Sequence, residues 1–94
     1  MNYSLKYDRI IIGIEPIKIQ TISEPYVVLS YFGYQVAIDV FEKKKNKSKT
    51  LILSAKSLSL ALESLRTENN GRLLGLEFWI NKESEEKKSK YVIS

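Results

Sequence analysis

The chain has neither cysteine nor histidine, and only two prolines and four glycines among 94 residues. Without cysteine there is no disulfide and no thiolate zinc site, a composition that fits an intracellular, cytoplasmic setting. Without histidine, the side chain that most readily serves as a general base or metal ligand near neutral pH is missing. The only aspartates, Asp8 and Asp39, are far apart in the chain, and no second carboxylate forms a tight motif with either. Gly13, Gly33, Gly71 and Gly75 are isolated, so there is no glycine-rich phosphate loop. These absences predict a protein that is not an enzyme and needs no cofactor and no metal. Long apolar runs are also missing: nothing approaches the roughly 20 residues of a membrane-spanning helix. Residues 1 to 6 lack the apolar centre of a signal peptide, and no membrane partner is expected.

What is present is enough for one folded domain. The hydrophobic fraction of 44% argues against disorder, and two domains within 94 residues would each be too small to bury a useful core. Fifteen basic residues against eleven acidic ones give a net charge of +4, and twelve of the fifteen are lysine. Lysine acts as a point charge, so diffuse contact with phosphate is expected rather than bidentate reading of bases. Richness in Ile, Lys and Glu with only two glutamines leans toward a thermophilic source.

Five of the lysines, Lys43, Lys44, Lys45, Lys47 and Lys49, fall within seven residues. Strand-like runs flank them, Val36 to Phe41 before and Thr50 to Leu53 after, so the cluster reads as the tip of a β-hairpin. Crowded ammonium groups repel one another, and a nucleic-acid backbone would relieve that repulsion. The plainer reading is a solvated tip whose lysines discourage edge-to-edge aggregation.

Along the chain, residues 9 to 14 form an apolar run that reads as a buried strand, and Ile17-Lys18-Ile19-Gln20 alternates after Pro16. Tyr26 to Phe32 follows Pro25, and Gly33-Tyr34 reads as a tight turn. That turn would set Val27, Leu29 and Tyr31 against Val40, Ile38 and Val36 on an apolar core face. Tyr26, Val28, Ser30 and Phe32 would then face Phe41, Asp39, Ala37 and Gln35 on the opposite side. Ala55, Leu58, Ala61, Leu62 and Leu65 have helical spacing over about 55–67, with Ser54 or Ser57 as N-cap and Asn69-Asn70-Gly71 as the stop. Leu74, Leu76, Phe78 and Ile80 alternate as the inward face of another strand, leaving Leu73, Gly75, Glu77 and Trp79 opposite. A charged loop then leads to a last strand at Tyr91-Val92-Ile93.

The expected fold is α+β, mostly β: an OB-like five- to six-stranded antiparallel barrel or curved sheet with one helix. Residues 25–94 supply a β-β-β-α-β-β core, with 1–24 as an N-terminal strand extension. Tyr26, Phe32, Phe41 and Trp79 all fall opposite the core face, where aromatic rings give unpaired bases a stacking platform. The competing reading is that the N-terminal strand or a second subunit covers these rings. Lys87, Lys88 and Lys90 in the last loop, and Arg72 beside Gly71, are secondary phosphate-contacting candidates.

Leu53-Ser54, Leu58 to Leu65, Gly75-Leu76-Glu77-Phe78 and Lys88-Ser89-Lys90-Tyr91-Val92 together resemble a pattern of small single-stranded DNA-binding proteins of archaea, their viruses and phages. The resemblance covers under half the chain. It implies sequence-independent binding of unpaired DNA by sheet aromatics and loop lysines. Asp39 and Glu77 depart from it, since carboxylates on that face repel phosphate. The expected function is therefore non-catalytic binding of single-stranded nucleic acid, as a homodimer or within a larger assembly. The alternative is a protein-interaction module, a viral inhibitor or accessory subunit, docking through the aromatic face. Self-assembly through exposed strand edges is a third reading.

Overall fold

The computed structural model describes residues 7–30, 33–53, 55–86 and 89–94, with only the backbone of Ser30. The elements are β1 (Ile17–Thr21), β2 (Tyr26–Ser30), β3 (Gly33–Glu42), β4 (Lys47–Ile52), α1 (Lys56–Glu68), β5 (Glu77–Lys82) and β6 (Tyr91–Ile93). The six strands form one antiparallel sheet in the order β2-β3-β1-β5-β6, with β4 paired to β3. The sheet is open among the described residues, because β4 and β6 do not pair. The protein is thus mostly β with one helix, and no helix among the described residues is long and apolar enough to cross a membrane.

β1 is central. It pairs with β5 on one side and with β3 on the other, so residues 17–21 lie inside the sheet as well as preceding the expected core. β1 and β2 run end to end along one edge of β3, since β4 occupies the other edge over the same stretch. Thr21 lies opposite Val40 and Tyr26 opposite Ala37, so residues 22–25 bulge against the two residues 38 and 39. Pro25, which has no N–H to give a ladder, falls in that bulge. Residues 9 to 14, expected as a strand, make only one parallel bridge, Arg9 with Thr50. The segment still crosses the open side of the sheet: Ile10 N–H donates to Thr50 O (2.8 Å) and Lys82 N–H donates to Gly13 O (2.7 Å). Its alternate residues Ile10 and Ile12 are buried in the core, while Ile11 and Ile14 are exposed.

The core joins Ile19, Ile38, Val40, Leu51, Phe78 and Ile80 from the sheet to Leu58 and Leu62 of α1. The helix covers the sheet through that i, i+4 pair. Its N-cap is Ala55, without a side-chain cap. Ser57 instead lies in the first turn, where its Oγ accepts the Tyr91 N–H at 3.4 Å, and Ser54 is outside the described residues. The stop is as expected: Asn70 and Gly71 both take positive φ (58° and 80°), and Gly71 N–H donates to Arg66 O.

Two expectations are corrected. Residues 72–76 are a turn, not the start of β5, with Leu73 buried and Leu74 exposed. Buried Thr21 holds this turn: its hydroxyl donates to Leu73 O and accepts the Leu76 N–H (2.9 Å). Glu24 adds a second clamp, its carboxylate accepting the N–H groups of Leu73 (3.1 Å) and Leu74 (2.7 Å). Those backbone N–H groups hold the Glu24 carboxyl below its usual range. Second, Gly33 and Tyr34 are not a turn but the start of β3, paired with Ser30 and Leu29, and Tyr31 and Phe32 lie outside the described residues. Pairing moves by four residues, placing Tyr26 opposite Ala37 rather than Phe41. The two faces keep their parity, but the apolar one is not all core: Val27 (64%), Leu29 (42%) and Val36 (40%) are exposed. The β2–β3 hairpin runs past Ala37, where β4 ends, and leaves the packed part of the sheet.

Thr21→Val keeps the shape of a buried side chain but leaves the Leu76 N–H without its acceptor and removes the donor to Leu73 O. A loss of about 1–3 kcal/mol is expected in urea unfolding. A change below a few tenths would show that the turn is held by packing alone.

Candidate nucleic-acid interface

Parity sets which side chains face away from the core. On β5 these are Glu77 and Trp79, on β1 Lys18 and Gln20, on β3 Asp39 and Phe41, on β4 Ser48 and Thr50, and on β2 Tyr26. Lys18 lies directly opposite Trp79, and Glu77, Gln20, Phe41 and Ser48 form a row across four strands. With strands roughly 4.8 Å apart, Trp79 and Phe41 are about 12 Å apart on the diagonal, which crosses β1 between Lys18 and Gln20. Tyr26 lies off that diagonal, on the same edge of β3 as β1 and level with Ala37, four residues along β3 from Phe41.

The three rings are held differently. Trp79 is 45% exposed, with the Lys18 ammonium 5.9 Å from its ring centre. Phe41 is half-buried, with the Lys43 ammonium at 6.0 Å. Lys43 belongs to the turn after β3, and its N–H donates to Lys18 O (3.1 Å), which ties the turn to β1. Tyr26 packs against Val28, Ala37 and Ile52, and its hydroxyl donates to Asp39 Oδ1 at 2.6 Å. Thr50 Oγ1 donates to the same oxygen at 3.0 Å. Burial pushes the Tyr26 phenol up, and the hydrogen bond to Asp39 adds to the shift. Tyr26 is therefore locked in place, and Asp39 is a buried acceptor rather than a surface anion.

Glu77 is the anion that does face solvent. Its carboxylate sits 3.0 Å from Lys18 Nζ and 3.9 Å from Lys43 Nζ. The hydrogen bond from Lys18 holds the Glu77 carboxyl below its usual range, and the charge of Lys43 acts in the same direction. One carboxylate thus bridges the two cations that flank Trp79 and Phe41.

The other expected residues are scattered. Lys44, Lys45 and Lys49 line a separate cavity with Arg9. Lys47 is exposed at the start of β4, opposite Glu42. Arg72 lies in the turn after α1, where its charge reaches Glu24. Lys90 is exposed, and its carbonyl accepts the Glu83 N–H. Phe32, Lys87 and Lys88 are outside the described residues. The structure thus brings together Trp79, Phe41 and Lys43, with Tyr26 beyond them. Lys18 and Gln20 were missed as site residues, although the alternation Ile17-Lys18-Ile19-Gln20 already placed both opposite the core. Among the described residues no cluster of acidic, histidine or cysteine side chains could hold a metal ion. Comparison with protein-family models, curated proteins and solved structures found no match.

A carboxyl whose folded pKa is lowered keeps its contact above the unfolded value and loses it as pH falls through the folded value. In a carbon-detected NMR titration, the Glu77 midpoint is expected below 4.5, the ordinary value, and back near it in Lys18→Met. An unchanged midpoint in that variant would remove Lys18 as the cause.

Proposed function

We propose that this chain binds single-stranded nucleic acid, DNA in the first instance, without catalysis and largely independently of sequence. The observation that carries this reading is the pairing of two rings with lysines on one sheet face: exposed Trp79 with Lys18, half-buried Phe41 with Lys43. Bases stack on Trp79 and Phe41 while the two ammonium groups meet the phosphates; Tyr26 fixes the floor. Such stacking contributes about 1–3 kcal/mol per base and tolerates any base, because every base has a π-face. The connection order, with β1 and β2 as one bent first strand and residues 9–14 across the open side, supports an OB-like reading of the sheet. The resemblance to small archaeal and viral single-stranded DNA-binding proteins points the same way.

A second reading, a homodimer, is favoured by a different surface. No residue from Tyr26 to Ile38 is charged. The apolar side chains of Val27, Leu29, Tyr34 and Val36 are exposed on that hairpin. Two copies of a chain carrying +4 meet with least repulsion where neither presents a charge.

Titrating oligothymidylate against Trp79 fluorescence at two salt concentrations tests the first reading. Quenching that weakens steeply with salt is expected. Followed by the anisotropy of a dye-labelled oligothymidylate, since Trp79 is the only tryptophan, Trp79→Ala should lose about 1–3 kcal/mol of affinity with the salt slope unchanged. Lys18→Ala with Lys43→Ala should flatten the slope by about 0.7 per lysine. If both variants shift affinity and slope alike, stacking and charge are not divided in this way. Unchanged fluorescence together with a dimer in sedimentation would favour the second reading.

A further inference from the structure

The lysine cluster is split by strand alternation and by the turn. Lys43 goes to the aromatic face, whereas Lys49, opposite Val40, lies on the other side of the sheet. There Lys44, Lys45 and Lys49 join Arg9 around a cavity of about 270 Å³, with isoleucines of the N-terminal segment and β1 in its wall. Two carboxylates also line it, Glu15 and Glu42, so four cations face two anions. The only ion pair among them is Lys44 with Glu15 at 3.9 Å, both side chains more than 80% exposed. Such a contact contributes little in water. Arg9, Lys45 and Lys49 form no ion pair among the described residues. The Arg9 backbone is held at its place by the bridge to Thr50.

Three unpaired cations around one concave surface focus a positive potential into it. The net charge of the lining, +2, matches a phosphate dianion better than a single-charged phosphodiester link. A concave site also suits a group at a chain end, which has only one ester bond leading away. Arg offers a planar fork to phosphate oxygens, and lysines add point charges around them. We propose that this cavity binds a phosphomonoester dianion, either the terminal phosphate of a nucleic-acid strand or that of a free nucleotide. The strand-end arm alone rests on the function proposed above; the anion site itself does not.

The probe is inorganic pyrophosphate, followed on the full chain by backbone amide NMR. Signals of Arg9, Lys45 and Lys49 should move on one saturable curve while Lys56 and Lys90 stay still. The Lys45→Ala, Lys49→Ala variant should weaken this binding at least tenfold, with Phe78 and Ile80 amide positions reporting an intact core. Glu15→Gln should tighten it about threefold, a gain that misfolding cannot produce. If all lysines shift alike without saturation, or the double variant binds as before, there is no site. A second arm compares 5′-phosphorylated with 5′-hydroxyl oligothymidylate. A tenfold preference for the phosphorylated strand, lost in the double variant and kept in Trp79→Ala, identifies a strand end. Saturable pyrophosphate binding without that preference identifies a free phosphate compound. If neither oligonucleotide binds, the single-stranded nucleic-acid reading fails, and the pyrophosphate arm still decides the cavity.

Discussion

Ile19 is fully buried in a strand with partners on both sides, facing Glu42 of β3 and Phe78 of β5. That double pairing is the constraint on which the rest depends. It holds the β2–β3–β4 hairpins and the β5–β6 hairpin in one sheet, and it gives α1 a continuous apolar surface to cover. The same strand presents Lys18 and Gln20 to the opposite face. The core and the candidate interface are therefore two faces of one five-residue segment, and the period of two along β1 fixes both. Thr21, at the end of β1, extends the constraint by holding the turn that leads into β5.

The outer face is graded from rigid to open. At one end Tyr26, Asp39 and Thr50 form a closed hydrogen-bonded set over a small apolar cluster. At the other, Trp79 is half in solvent, and Glu77 balances Lys18 and Lys43. An acid between two cations keeps this face from carrying a strong positive charge, and it would compete with a phosphate for the same ammonium groups. The carboxylate at Asp39, which the sequence alone places among possible repulsive groups, is withdrawn from that competition by burial.

Most of the element order was legible from periodicity, because alternation and helical spacing are local. Phe78, Ile80, Leu58 and Leu62 face inward as their spacing implies. What alternation could not reveal was which strands pair. Nothing local to Ile17–Thr21 tells that its partners are β3 and β5, so Lys18 was read as part of a strand but not as part of a site. The turn at 72–76 was misread for a related reason: its backbone hydrogen bonds go to Thr21 and Glu24, some 50 residues earlier. The lysine cluster looked like one feature because its members are adjacent in sequence. Alternation sends Lys43 to one side and Lys49 to the other, so proximity along the chain overstated their unity.

The long reach of β1 has a kinetic consequence. Its partner β5 begins 56 residues after Thr21. During synthesis at about 5–20 residues per second, that separation corresponds to a wait of roughly 3–11 s. Until β5 emerges, one edge of β1 lacks its partner, and Ile17 and Ile19 have no Ile80 or Phe78 beside them. The β2–β3 and β3–β4 ladders join residues close in sequence, whereas the β1–β5 ladder closes the longest loop of any strand pair here, the kind of contact that slows folding.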